Sequence, residues 1–238
     1  MLAFESSGRK RQLLAFSCIN AGYHGSENKG SNMQFHLYYF HDSMCSWCWA
    51  FRPLWKEIVI GLPGNVIAQR ILGGLAPDTD QPMPAEMQAK LKGIWQKIQQ
   101  TVPGTQFNFD FWEKCSPRRS TYTACRAVIA ARKQDNGKEE AMILAIQQAY
   151  YLEARNPADL NTLIELASEI GLDRERFAVD MKSPAVNQAL MQEIEFTQRL
   201  QVKGFPTLLL EDNGVFTSIP HDYYDAKSML QRIEQLSQ

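Results

Sequence analysis

The sequence predicts an α/β fold: a small mixed β-sheet with helices on both faces, interrupted by a large all-helical insertion. Three observations carry this. Residues 34–72 run strand, helix, strand at the length of a parallel βαβ unit with a right-handed crossover. Residues 77–183 then show helical spacing of apolar residues. Residues 184–238 return to helix, strand, strand and helix, with Asn213-Gly214 between the two strand patterns, the strongest short hairpin signal. A chain of 238 residues, 45% hydrophobic and 21% charged, can bury a substantial core as one large domain or a domain with an insertion. A formal net charge of -1 gives no footprint for nucleic acid or an anionic membrane. No stretch approaches the roughly 20 continuous apolar residues of a membrane span.

Residues 1–32 differ in texture from the rest. Arg9-Lys10-Arg11 followed by Leu13 to Ile19 faintly resembles a basic segment and a short apolar segment of an export signal. The apolar run is short, Ala21-Gly22-Tyr23 is a poor cleavage site, and Gly22 to Asn32 is rich in Gly, Ser and Asn. The segment reads as a disordered leader or an extension upstream of a natural start at Met33, with an export signal, and hence the periplasm, as the alternative. Five cysteines are too few for a disulfide scaffold and leave one thiol unpaired in a monomer, which fits the cytoplasm better.

The first core segment spans residues 33–76. Gln34 to Phe40 is a short aromatic-rich strand. Phe51, Leu54, Trp55 and Ile58 then fall at i, i+3, i+4 and i+7, one apolar face of a helix that Pro53 should kink. Asn65 to Leu72 is the second strand, closed by Gly73-Gly74. Pro77, Pro82 and Pro84 mark the boundary to the helical insertion, residues 77–183. There Met87, Leu91, Ile94, Trp95 and Ile98 form one helix face, and Tyr122, Cys125, Val128 and Ile129 another. Glu139 to Glu153 is apolar on most sides and should be central. Asn156-Pro157 reads as the N-cap and first turn of a helix carrying Leu160, Leu163, Ile164 and Ala167, and Asp173 opens a short helix. In the second core segment, 184–238, Ser183-Pro184 caps a helix with Val186, Leu190, Ile194 and Thr197 on one face. Strands 207–211 and 215–219 follow, and Asp222 reads as the cap of a last helix with Ala226, Met229, Ile233 and Leu236 inward.

The chemistry concentrates at Cys45-Ser46-Trp47-Cys48, between the first strand and its helix, at the carboxyl end of a strand where open α/β sheets place their sites. A thiol at a helix start meets unpaired N–H groups and the positive end of the dipole, which favour the thiolate. Cys45 is therefore the expected attacking thiol and Cys48, one turn inside, the resolving one. Half a zinc site is the bland alternative, but Cys115 and Cys125 are ten apart and offer no matching pair. Those two read as unpaired structural thiols rather than a second disulfide. The four histidines show no metal-ligand spacing. Trp47, between the cysteines, is expected to be exposed and to contact a partner, whereas Trp49 and Trp55 read as packing. Phe205-Pro206-Thr207 precedes a strand; an X-Pro bond there is either an ordinary strand start or a cis bond that would expose the Phe205 backbone to an extended substrate.

Asp42-Ser43-Met44-Cys45-Ser46-Trp47-Cys48-Trp49-Ala50-Phe51 resembles the active-site signature of DsbA-like thioredoxin-fold proteins, the FrnE-type branch in particular. Pro53 matches the kink proline of that family, and Gly204-Phe205-Pro206-Thr207 its cis-proline loop. The resemblance covers residues 34–238. It implies a thioredoxin-like fold with a large helical insertion and thiol–disulfide oxidoreductase or isomerase activity on protein or small thiol and disulfide substrates, glutathione among them. It implies no cofactor beyond a redox-active Cys45–Cys48 disulfide, and substrate contacts at Trp47, Phe205, Pro206 and Thr207. Ser43 stands where the family often has proline. Ser46-Trp47 replaces the Pro-His of strong oxidants, which points to a milder potential. Some relatives look like adaptors that present a regulator to a protease, and others like glutathione-dependent isomerases. Retention of both cysteines favours the oxidoreductase.

Overall fold

A computed structural model describes residues 34–238; the leader reading of residues 1–32 lies outside the described residues. The aromatic run at Phe35–His41 forms β1, an inner strand of a four-stranded sheet. Helix α1 (Ser46–Gly61) carries the chain over to β2 (Val66–Leu72), which runs parallel to β1 with Phe35 opposite Val66 and His41 opposite Leu72. On the other side β1 pairs antiparallel with β3 (Thr207–Asp212), and β3 with β4 (Val215–Ile219), giving the order β2-β1-β3-β4. The β3–β4 turn places Asn213 at φ 48° and Gly214 at φ 83°, the left-handed backbone a two-residue hairpin loop demands.

Between β2 and the second half of the sheet lie α2 (Ala85–Thr101), α3 (Phe111–Lys114), α4 (Tyr122–Gln134), α5 (Glu139–Tyr151), α6 (Leu160–Glu169) and α7 (Arg174–Asp180). Helix α8 (Pro184–Arg199) leads back to β3, and α9 (Ala226–Leu236) ends the described chain. Alternation along β1 divides the core in two. Phe35, Leu37 and Tyr39 point to one face, where they meet Phe51, Trp55 and Ile58 of α1 and Met229 and Ile233 of α9. Phe40 points to the other and packs on Phe196 of α8 at 5.7 Å between ring centroids. Burying side chains of this size contributes about 1.5–3 kcal/mol each.

The helical segment has its own larger cluster, with Trp95, Met142, Ile146, Leu163 and Phe177 inside. Ala124, Ala127, Ala130 and Ala131 of α4 are buried there, and such small side chains let α5 and α8 approach closely. Met44, Ala50 and Leu72 belong to this cluster too, so the helical packing continues up to the turn that carries the cysteines.

Two helix starts differ from the sequence reading, for one reason. Asn156 does not cap α6: its side chain accepts from Ala158 N at 3.1 Å and donates to Ser116 O at 3.3 Å, and the helix begins at Leu160 behind Asp159. Asp222 does not cap α9: it accepts from Tyr224 N and Asp225 N at 2.8 and 2.9 Å, and Asp225 takes the cap by accepting from Lys227 N. In both places the side chain folds a local Asx turn that competes with the helix start. Asp173 and Ser183 do cap, accepting from Arg176 N and Val186 N.

Candidate active site

The turn between β1 and α1 is held from several directions before it reaches the first cysteine. Asp42 is fully buried, and its backbone carbonyl accepts from Cys45 N at 3.0 Å. Its carboxylate accepts from Met44 N at 2.8 Å, Leu75 N at 2.7 Å and Thr121 Oγ1 at 2.6 Å. The loop after β2 and the start of α4 are thereby tied to the cysteine turn. Burial pushes the Asp42 carboxyl up, against the opposing pull of these donors. The Tyr151 hydroxyl donates to Met44 O at 2.7 Å. So constrained, Cys45 occupies the N-cap of α1 with φ -83° and ψ 117°, and the helix starts with Trp49 N donating to Cys45 O at 3.0 Å.

The two sulfurs see different surroundings. Cys45 is 7% exposed, and its thiol donates to Phe205 O at 3.5 Å. Cys48, one turn further, is 1% exposed; burial pushes its thiol well above the ordinary range, and the neighbouring Cys45 adds to the rise. Both stand as free thiols. His41, just before the turn, is buried and held neutral, its pKa lowered to about 3 chiefly by desolvation.

The predicted substrate-contacting residues converge. A groove of about 390 Å³ opens between α1 and the loop before β3, lined by Trp47, Phe205, Pro206, Thr207, His221 and Tyr223. The Phe205–Pro206 peptide is cis, and Thr207 Oγ1 donates to Gly204 O at 2.7 Å. The Phe205 ring lies on Gly73 so closely that a Cβ there would sit 1.9 Å from it; only glycine leaves room for the ring. Trp47 is half-buried rather than exposed, because Tyr223 packs against it at 5.0 Å between ring centroids. Trp49 donates its Nε1 to Gln106 O at 3.1 Å and Trp55 packs on Tyr39 at 4.4 Å, so neither lines the groove.

The sequence reading missed His221 and Tyr223. Both come from the connection between β4 and α9, whose path depends on tertiary packing; only the aromatic run His221-Asp222-Tyr223-Tyr224 hinted at them. Cys115 donates its thiol to Ala154 O at 3.0 Å and Cys125 to Asp42 Oδ2 at 3.6 Å, so the two are unpaired. A larger cleft, about 660 Å³, lies on the helical segment, and neither Cys45 nor Cys48 lines it. There Arg118 is paired with Asp159, and Arg126 with Asp78. Among the described residues no three His, Cys, Asp or Glu side chains group as metal ligands, and no helix is long and apolar enough to cross a membrane.

Residues 36–227 match the model of the DSBA-like thioredoxin domain. Among curated proteins the chain is similar to the ClpXP adapter protein SpxH of Bacillus subtilis, 28% identical over 200 residues, covering 79% of this chain. The chain spans 64% of the length of that relative. Among solved structures it is similar to a candidate protein disulfide isomerase from Nitrosomonas europaea, 26% identical with a TM-score of 0.74, covering 85% of this chain and 97% of the other. The cytosolic disulfide reductase DsbM of Pseudomonas aeruginosa is 26% identical with a TM-score of 0.69, over 84% of this chain and 98% of that one.

Proposed function

Because the chain belongs to the DSBA-like thioredoxin domain family, we propose that it is a thiol–disulfide oxidoreductase or isomerase working through Cys45 and Cys48. The observation that carries this is the asymmetry of the two thiols. Cys45 sits at the N-cap beside the groove with its sulfur against Phe205 O, while Cys48 lies one turn inside on the buried face of the same helix. Cys45 as a thiolate attacks a substrate disulfide, forming a Cys45–substrate bond and releasing one substrate thiol. Cys48 then attacks the Cys45 sulfur, closing the Cys45–Cys48 disulfide and releasing the second. An extended protein segment or a small disulfide would lie in the groove against Trp47, Phe205, Pro206 and Thr207. Glutathione would supply electrons to reopen the pair.

Ser46-Trp47 between the cysteines supports a milder potential than that of strong oxidants, suited to reduction or isomerisation. The likeness to DsbM, a cytosolic disulfide reductase, and the odd cysteine count support a reducing, cytoplasmic setting. A second reading, an adaptor that presents a partner to a protease, is favoured by the likeness to SpxH.

Reduction of a peptide disulfide with glutathione as electron donor tests the first reading. Wild type should turn over, Cys45→Ser should fall to background, and Cys48→Ala should accumulate a mixed disulfide. Equilibration with glutathione should give a potential well below about -120 mV, the value of a strong oxidant. Absence of turnover in both directions, with no covalent adduct on Cys48→Ala, would favour the adaptor.

A further inference from the structure

The outer thiol stands between β1 and α1, yet one hydrogen bond that sets its turn comes from the helical segment. Tyr151, the last residue of α5, is fully buried. Its ring stacks on Trp49 at 5.7 Å between centroids and meets Phe107 and Trp95 edge-on at 5.3 and 5.4 Å. From that socket its hydroxyl donates to Met44 O at 2.7 Å. The peptide joining Met44 to Cys45 is thereby held at both ends, because its N–H donates to Asp42 O at 3.0 Å. A peptide unit is planar, so two such bonds stop it from swivelling between its Cα atoms. A swivel would change the φ of Cys45, which is -83°, and turn the thiol that meets Phe205 O at 3.5 Å. Packing accounts for the ring of Tyr151 but not for its hydroxyl, since phenylalanine would fill the same socket. Met44 is buried, so without that hydroxyl its carbonyl would have to turn to find another donor.

Resting on the exchange reading above, we infer that Tyr151 is a positioning residue for the attack: through Met44 O its hydroxyl aims the Cys45 sulfur at the groove. In the step it serves, the Cys45 thiolate attacks a substrate disulfide. The Cys45–substrate bond forms, the substrate's own S–S bond breaks, and the released sulfur leaves as a thiolate that takes a proton from solvent. The electrons stay within the exchange, and Tyr151 is unchanged at the end. The aim matters for a substrate that the groove orients, because reaction there needs the sulfur on one line. A small reagent arriving from any direction needs no such aim.

Tyr151→Phe removes the hydroxyl and keeps the ring. Reduced protein is mixed with a short peptide whose cysteine carries a nitrothiobenzoate leaving group, and separately with iodoacetamide. Alkylation across pH gives the thiolate fraction, by which both rates are normalised. Tyr151→Phe should cut the saturating rate of nitrothiobenzoate release about tenfold, with the half-saturating peptide concentration unchanged. Its alkylation per thiolate should stay within about twofold of wild type. Tyr150→Phe, which removes a neighbouring hydroxyl that is not among the turn's partners, should match wild type with both reagents. An equal fall with both reagents, or no fall with the peptide, would overturn the role of Tyr151 and leave the exchange reading standing. A wild type that releases no nitrothiobenzoate would overturn both. Should Tyr151→Phe not fold, proton NMR of the reduced wild type decides. A Tyr151 hydroxyl resonance protected from exchange supports the role, and one that exchanges freely overturns it.

Discussion

Cys45 and Cys48 are one helical turn apart, yet they face two different media. On the Cys45 side an aromatic groove opens, with a backbone carbonyl from a distant loop against the sulfur. On the Cys48 side the sulfur is closed off on the buried face of α1, only 1% exposed. The difference separates two requirements of disulfide exchange. The attacking sulfur must be reached by substrate, whereas the resolving sulfur must be kept from solvent and substrate until a mixed disulfide exists. On the proposed exchange reading, the primary structure would meet both by placing Cys45 at the N-cap and Cys48 on the inward face of the same helix.

The largest effect belongs to the open side: Cys45→Ser should remove disulfide turnover altogether in the glutathione-coupled assay while leaving the melting temperature within a few degrees. The closed side should show itself in stability. His41 has a folded pKa of about 3 against an ordinary 6.5, so the unfolded chain binds its proton first as pH falls. The neutral ring's contribution is complete above pH 6.5 and is lost as pH drops from 6.5 towards 3, by roughly 3–5 kcal/mol. Asp42 works with the opposite sign. Its raised pKa makes protonation favour the fold, so its contribution is full below the unfolded value and declines as pH rises above it. Urea unfolding at successive pH values should therefore show a positive slope of stability with pH that His41→Phe reduces. An unchanged slope in that variant would remove His41 from the account.

Asp42→Ala takes the acceptor from Met44 N, Leu75 N and Thr121 Oγ1 at once, and should cost about 2–4 kcal/mol in denaturant unfolding. The smallest effect belongs to the groove. Tyr223→Ala uncovers Trp47 and should raise KM for a peptide disulfide by a fewfold with kcat held, because it alters the wall and not the sulfurs. A matching fall in kcat would place Tyr223 nearer the chemistry than the groove wall.

The fold was legible where periodicity and turn chemistry agree. The βαβ unit, the α8 cap at Ser183, and the Asn213-Gly214 hairpin each announce themselves within a few residues. Cys45, Cys48 and Pro206 stand out in the sequence because their spacing and flanks carry meaning on their own, and the structure brings the Phe205–Pro206 loop against Cys45. Helix starts at Asn156 and Asp222 were misread because an Asx turn and an N-cap use the same side chain and differ only by where the backbone goes next. His221 and Tyr223 reach the groove through a loop whose course no local pattern dictates.

On the proposed reading the two thiols divide the work, Cys45 outward and Cys48 inward. Mass analysis after exposure to glutathione disulfide tests it most directly. Cys48→Ala should carry one glutathione, mapped to Cys45, Cys45→Ser should carry none at Cys48, and wild type should close the internal disulfide without retaining an adduct. A stable adduct on Cys48 in Cys45→Ser, or no adduct on Cys45 in Cys48→Ala, would contradict it.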